Sequence, residues 1–183
     1  MKSKVSPDKQ HILFISFGQF GRYFLDRIAD AVRTEFWGVV EVEVDHADLT
    51  PFYDPGRRQY NANELIRYIH SEYGTNGVKA IGLFEVDLFI PILTYVIGQA
   101  VFNGNAGVVS MYRLKNELYG LKRDDDLLFE RFRKEIFHEL GHIRGLSHCL
   151  SPVCVMRPGT YVEEVDEKES RFCFSCSGKL GFL

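Results

Sequence analysis

The sequence of 183 residues predicts an α+β fold, with an α/β-like arrangement of elements around one mixed sheet. Three observations indicate this class. Strands and helices alternate over the first half of the chain, a hairpin-like pair of strands follows, and a long amphipathic helix comes next. The apolar content of 45% is ample for a core. We expect a single domain over residues 1–183, with an N-terminal lobe of about 1–145 and a C-terminal lobe of about 146–183.

Apolar patterning predicts the elements of the first half in order. The run from His11 to Phe17 is nearly all apolar, which is typical of a buried strand. The next helix is predicted from apolar side chains at helical spacing, namely Phe24, Leu25, Ile28 and Val32. Val39 to Val44 alternates apolar residues with glutamate, which predicts a strand with one face in water. After a Pro-Gly turn, a second helix is predicted from Ala62 to Tyr73.

Three further strands and one long helix are predicted in the second half. The strands are Val78 to Leu83, Tyr95 to Phe102 and Ala106 to Tyr112, and an Asn/Gly turn joins the last two. Three consecutive aspartates at residues 124–126 form an acidic signal for the start of the helix. Apolar residues then recur at three- and four-residue steps: Phe129, Phe132, Ile136, Leu140 and Ile143.

The end of this helix carries a metal-ligand motif, H-E-x-x-H-x-x-G-x-x-H, which reads HELGHIRGLSH from His138. His138 and His142 lie one helical turn apart, so both rings can face one ion. Gly145 can adopt the left-handed conformation that ends helices, which would let His148 approach as a third ligand. Three imidazoles with an open fourth position are typical of a catalytic zinc. Glu139 is then expected as the general base toward the water that the zinc activates.

All four cysteines follow the helix, and their spacing is C-x4-C and then C-x-x-C. Two close pairs separated by a loop favour a closed, tetrahedral structural zinc site. The predicted ligands are Cys149, Cys154, Cys173 and Cys176. Disulfides and a thioredoxin-like redox role for the C-x-x-C pair are the alternatives. Because the first cysteine follows His148 directly, this second zinc would brace the loop that carries the third catalytic ligand.

The combined run HELGHIRGLSHCLSPVCVM…CFSC resembles the signature of the archaemetzincins, which joins the zinc motif to C-x4-C-x-M and a later C-x-x-C. Met156, with Pro158 after it, looks like the Met-turn beneath the metal of metzincins. The resemblance implies a compact metzincin-type zincin fold with an active-site helix and a C-terminal four-cysteine zinc subdomain. It implies two zinc ions per chain and peptidase chemistry on a peptide substrate, with an aminopeptidase-like preference. By the same resemblance, an extended substrate would pair with the strand from Tyr95 to Phe102, where Gly98 allows close approach.

We therefore expect a zinc metallopeptidase that loses activity as the pH falls through about 6, where free histidine becomes protonated. Because the sequence has no cysteine before Cys149 to act as a latency switch, we expect a restricted cleft that favours short peptides with a free N-terminus. Glu85, Asp87 and Glu117 are the candidates for binding the substrate ammonium. The alternative function is a catalytically silent zinc-binding protein with a recognition or metal-handling role.

Charge and hydropathy argue against other classes of protein. A net charge of −3 without a long Lys/Arg run argues against nucleic acid as a partner. The longest apolar stretch, residues 83–102, is interrupted by charged residues, proline and glycine, so we expect no contact with a membrane. The start, MKSKVSPDKQ, lacks the apolar core of a signal peptide. We expect a cytoplasmic monomer, and a reducing compartment suits a thiolate-rich zinc site.

Overall fold

A computed structural model describes residues 11–74 and 77–182. The first ten residues, where we expect no signal peptide, lie outside the described residues. The helices are α1 (Arg22–Phe36), α2 (Ala62–Tyr73), α3 (Asp125–Ile143), α4 (Val162–Glu167) and α5 (Phe174–Leu180). The strands are β1 (His11–Phe17), β2 (Val39–Val44), β3 (Tyr53–Asp54), β4 (Gln59–Asn61), β5 (Val78–Phe84), β6 (Leu88–Phe89), β7 (Gly98–Ala100) and β8 (Ala106–Ser110). No helix among the described residues combines the length and the apolar character that crossing a membrane requires.

A five-stranded sheet with the order β2-β1-β5-β8-β7 organises the fold. β1, β2, β5 and β8 pair in parallel, and β7 pairs antiparallel with β8 at one edge. The sheet is therefore mixed, and the α+β prediction is confirmed. A small second sheet has the order β3-β4-β6.

Helices cover both faces of the main sheet, because its central strands are apolar on both sides. On β1, Ile12 and Phe14 contribute to the core that includes α1 and α3, whereas Leu13 and Ile15 contribute to the core that includes α2. This alternation follows from the two-residue period of a strand. It places α3 on one face of the sheet, beside β7 and β8.

The predicted strand from Tyr95 to Phe102 is too long, because only Gly98–Ala100 forms a strand. Val96, just before it, donates its backbone N–H to Leu88 instead, at 2.9 Å. The partner strand is also short, since β8 ends at Ser110 and not at Tyr112. The short strands of the second sheet were not predicted, because two or three residues are too few to show a hydrophobic period.

The C-terminal segment shares the apolar core of α1 and α3. Phe36 of α1 makes edge-to-face contacts with Phe172 and Phe182, with ring centroids 5.6 and 5.8 Å apart. Arg131 of α3 forms a bidentate pair with Asp166 of α4, at 2.6 and 2.7 Å. These contacts connect the two predicted lobes through one core; the division near residue 145 itself stays a prediction.

Candidate active site

The helix α3 positions most of the candidate site, and its ends form as their sequences predict. The side chain of Asp124 caps the helix by accepting a hydrogen bond from the backbone N–H of Leu127 at 2.9 Å. The helix ends at Ile143, and Gly145 has a φ of +82°, a left-handed conformation that favours glycine. The chain turns there, and this turn directs His148 back toward the helix.

The three motif histidines come together at the end of α3. One ring nitrogen from each lies within 4.8 Å of the others, and the Nε2 atoms of His138 and His142 are 3.0 Å apart. The Nδ1 atoms of these two rings lie 2.9 Å from the Val155 carbonyl oxygen and 2.8 Å from that of Leu146. Nδ1–H then donates to a carbonyl, which leaves the Nε2 lone pairs facing one point. Ring nitrogens of a tetrahedral zinc site lie roughly 3.3 Å apart, so this cluster fits a zinc ion.

Burial keeps these histidines neutral. It lowers the pKa of His138 to about 4, and it also lowers the pKa values of His142 and His148. A metal requires neutral imidazole, so the protein prepares these ligands in the protonation state that binding requires.

Glu139 lies buried beside the histidines and directly against the edge strand β7. A Cβ atom built on Gly98 would come within 2.6 Å of the Glu139 Oε1 atom, so glycine is required for this approach. Burial raises the pKa of Glu139 well above its ordinary range, and the charge of Glu135 adds to this, whereas Lys168 opposes it. The carboxyl group is thus held in one place with a high proton affinity.

A cleft with a volume of about 390 Å³ lies between α3 and β7. Its lining includes the three histidines, Glu139, the strand β7 and the segment Pro158 to Thr160. The backbone N–H of Val101 donates to Ala106, and the Ile97 carbonyl accepts from Ser110. Because bonded residues alternate in an antiparallel pair, the backbone groups of Gly98 and Ala100 point away from β8. An extended peptide in the cleft would find these groups at the free edge of the sheet.

The four cysteines form a second cluster, and none of them is in a disulfide within the described structure. Their sulfur atoms lie within 4.8 Å of one another, and those of Cys149 and Cys173 are 3.8 Å apart. Sulfur ligands of a tetrahedral zinc site are about 3.8 Å apart at the usual bond length. Backbone N–H groups of Ser151 and Cys173 donate to cysteine sulfurs, and the nearby N–H of Cys176 is the main cause that lowers the pKa of Cys173 to about 7. The cluster thus has the geometry and the N–H donors that metal-bound thiolates require.

Comparison with known proteins agrees with this geometry. A model described as "Peptidase family M54" matches residues 11–181. The chain belongs to peptidase family M54. This family comprises zinc metallopeptidases, the archaemetzincins, and the resemblance seen in the sequence is confirmed.

Similar archaemetzincins cover most of the chain. The archaemetzincin of Thermococcus kodakarensis is 38% identical over 176 residues, which are 92% of this chain and 94% of that protein. The archaemetzincin of Saccharolobus solfataricus is 31% identical over 172 residues, 92% of each chain.

Solved structures show the same fold. The crystal structure of archaemetzincin from Methanopyrus kandleri has a TM-score of 0.82 at 33% identity, over 97% of this chain and 98% of that one. The archaemetzincin of Archaeoglobus fulgidus, complexed with malonate, has a TM-score of 0.75 at 30% identity, over 92% and 99% of the two chains.

The methionine of the archaemetzincin signature lies under α3. Met156 is fully buried, and a Cβ atom on Gly141 would overlap its sulfur atom. The Met156 carbonyl accepts a hydrogen bond from the backbone N–H of Cys149 at 2.9 Å. The segment at Met156 therefore packs against the helix that carries the histidines and is hydrogen-bonded to the first cysteine.

The carboxylates expected to bind a substrate ammonium lie elsewhere. Asp87 pairs with Arg113, and Glu85 accepts a hydrogen bond from the backbone N–H of Gln19 at 2.8 Å. Neither they nor Glu117 belong to the described lining of the cleft. Glu135 does line it, and this role was not predicted from the sequence. Its position three residues before His138, on the same face of α3, was the available signal.

We expect Gly98→Ala to lower kcat/KM by about 10²-fold, the size expected when a reacting group is displaced by about 1 Å. The added methyl group would push against the Glu139 carboxylate. The measurement is peptide hydrolysis together with thermal unfolding. Gly21→Ala is the matched control, since a Cβ atom there meets no atom within 4 Å. Full activity in the Gly98 variant would show that Glu139 works without its contact to β7.

Proposed function

We propose that this archaemetzincin hydrolyses short peptides with an aminopeptidase-like preference, using His138, His142 and His148 as zinc ligands and Glu139 as the general base. One observation carries the proposal. One cleft is lined by three kinds of group: three metal-binding nitrogens, a buried carboxylate and the free backbone groups of an edge strand. Together these are the groups that metal-assisted hydrolysis of an extended peptide needs.

Two zinc ions per chain are part of the proposal. The first would be held by the three histidines, and when bound it lowers the pKa of water toward about 7 and polarises a carbonyl group. The second would be held by Cys149, Cys154, Cys173 and Cys176, whose sulfur positions match a closed tetrahedral site.

Glu139 moves the proton in the proposed reaction. Its carboxylate accepts a proton from the attacking water and then donates this proton to the leaving amine. Burial favours the protonated acid, so the nearby charge of a divalent cation is needed to keep Glu139 ionised before the reaction. Contact with Gly98 holds the carboxylate at the edge of the strand, where the scissile bond would lie.

The size of the cleft supports short substrates. A volume of about 390 Å³ is near the lower end of ordinary ligand pockets and accommodates few residues. We propose that the substrate pairs with the backbone of Gly98 and Ala100 and is recognised from its free N-terminus.

We further propose a monomer that acts in the cytoplasm without nucleic acid, and the absence of disulfides among the four described cysteines supports a reducing compartment.

The test is mass-spectrometric analysis of a peptide library in which each sequence has a free or an acetylated N-terminus. We expect zinc-loaded protein to cleave the free peptides and to spare the acetylated ones, and Glu139→Ala to cleave neither. Equal cleavage of both forms, or digestion of unfolded casein at internal bonds, would contradict the aminopeptidase preference. A complete lack of cleavage by the wild type would favour a silent zinc-binding protein.

The histidine site should keep its zinc at a lower pH than the pKa of a free histidine predicts. Since burial lowers the pKa of His138 to about 4, its neutral form persists down to that pH and disappears below it. We expect zinc to be released at a pH below the value of about 6 that a free imidazole predicts. Equilibrium dialysis with metal analysis measures this, and His142→Ala, which should keep only the cysteine-bound zinc, separates the two ions. Release near pH 6 would show that the histidines are more accessible to protons than their burial implies.

A further inference from the structure

A second carboxylate lines the cleft, and the proposed reaction does not use it. Glu135 lies one turn before Glu139 on the same face of α3, and its side chain is only 5% exposed. It lies outside the histidine cluster that would bind metal. A buried charge in such a position is costly unless it is paired or binds something.

Lys168 is the partner of Glu135. Its Nζ atom lies 2.8 Å from the Glu135 Oε1 atom, and its side chain is 1% exposed. The approach is outside the angle of a hydrogen bond, so Oε1 accepts none among the described residues. The described lining of the cleft includes Glu135 but not Lys168. The anionic partner of the pair, and not the ammonium group, therefore borders the cleft.

Glu135 is ionised in this setting. Burial is the largest effect on its pKa and would raise it, but the charge of Lys168 brings the pKa below its ordinary value. A carboxylate has about four acceptor positions, and one ammonium group leaves most of them open. The carboxylate that borders the cleft is thus a candidate acceptor for a cation or for an N–H group.

The position of Glu135 along a bound peptide follows from the contacts of β7. The backbone N–H of Asn103 donates to the His142 carbonyl at 2.9 Å, so the chain beyond β7 meets the far end of α3. Glu135 therefore lies toward the start of β7, near Tyr95. Antiparallel pairing is the more stable arrangement and directs a peptide from the Phe102 end toward the Tyr95 end. Glu135 then lies beyond the cut bond, on the side of the leaving amine.

We propose that Glu135 selects substrates with a cationic side chain, lysine or arginine, at the residue that follows the cut bond. The inference rests on the proposed peptidase function. Pro158 and Gly159 line the same cleft and offer contacts for the apolar stem of such a side chain, while its charged end reaches the carboxylate. Lys168 acts as a positioning residue, because it holds the carboxylate in place and keeps it charged.

The test compares short peptides that differ only in the second residue, which is lysine, methionine or glutamate. We expect the wild type to cleave the lysine peptide with a kcat/KM about tenfold above that of the methionine peptide, as one charge-assisted hydrogen bond implies. The combined variant Glu135→Gln with Lys168→Met should lose this ratio. Both charges are removed together, since one buried ion left alone destabilises a protein strongly.

Glu135→Asp provides a second variant that keeps the counter-charge of Lys168. It draws the carboxylate back by one methylene group, so the lysine-to-methionine ratio should again fall. Arg22→Gln with Asp26→Asn is the matched control, because this exposed pair lies on α1, away from the cleft, and should leave the ratio unchanged. Equal cleavage of the lysine and methionine peptides by the wild type, or an unchanged ratio in both Glu135 variants, would overturn the assignment.

Binding separates this inference from the peptidase proposal. Calorimetry with zinc-loaded Glu139→Ala protein measures the affinity for each peptide without turnover. Tighter binding of the lysine peptide, with no cleavage by the wild type, would support the cation site and contradict the peptidase function. Cleavage without any lysine preference would support the peptidase function and contradict the cation site. If the protein neither bound nor cleaved the peptides, both proposals would be overturned.

Discussion

Glu139→Gln should lower kcat for peptide hydrolysis by about 10²–10⁴-fold, the range of general acid–base catalysis, while the protein keeps its zinc. Glutamine has nearly the same shape as glutamate, so the contact with Gly98 persists and the histidine cluster is undisturbed. The loss falls on proton transfer and not on peptide binding. We therefore expect KM to change little while kcat falls, as for an interaction made only in the transition state. Steady-state kinetics and metal analysis of the same preparation measure both quantities.

Glu85→Gln is the matched control for this change. Glu85 is another carboxylate near the main sheet, but its partners are the Gln19 backbone and Lys115, and the described cleft lining does not include it. Its variant should keep full activity. Undiminished kcat in Glu139→Gln would mean that another group accepts the proton. Loss of zinc together with activity would mean that the substitution disturbs the histidines and that the role of Glu139 as base is not being measured.

Much of the candidate site could be predicted from the sequence because its geometry is local. His138 and His142 share one face of α3 through helical spacing alone, and Gly145 ends that helix through a backbone preference. The apolar stripe from Phe129 to Ile143 orients the same helix toward the sheet. Such features need only residues within a few turns of one another, so the spacing of a single stretch is enough to predict them.

The remaining features depend on contacts between distant segments. The ion pair of Glu135 and Lys168 joins α3 to the chain after α4, and nothing in either local sequence specifies the other partner. Glu85 and Asp87 were candidates for binding the substrate ammonium, but a position at the end of a strand does not show which cavity a side chain faces. The bounds of β7 also depended on tertiary structure, since Val96 is hydrogen-bonded to Leu88 and the strand begins only at Gly98.

The second large effect concerns the cysteine cluster. Cys154→Ser should remove the second zinc and lower the melting temperature markedly, because Cys154 is fully buried and a closed site needs all four ligands. Structural zinc contributes about 10–16 kcal/mol of binding free energy to small folded peptides, so even a fraction of this exceeds ordinary point mutations. We expect the zinc content to fall from two ions to one or fewer. Metal analysis and thermal unfolding measure the result, and Ser175→Ala, an exposed change between two of the ligands, should alter neither.

Loss of the second zinc should also reduce catalysis, because the two sites share their supporting backbone. Cys149 follows His148 directly, and its N–H donates to the Met156 carbonyl, while the Met156 sulfur packs under α3. If cysteine ligation fixes this loop, Cys154→Ser should bind zinc more weakly at the histidines than the wild type does. A variant that lost one ion but kept full activity would show that His148 is positioned by the core of α3 alone. Sensitivity of the wild type to a thiol reductant, rather than to a chelator, would point instead to disulfides.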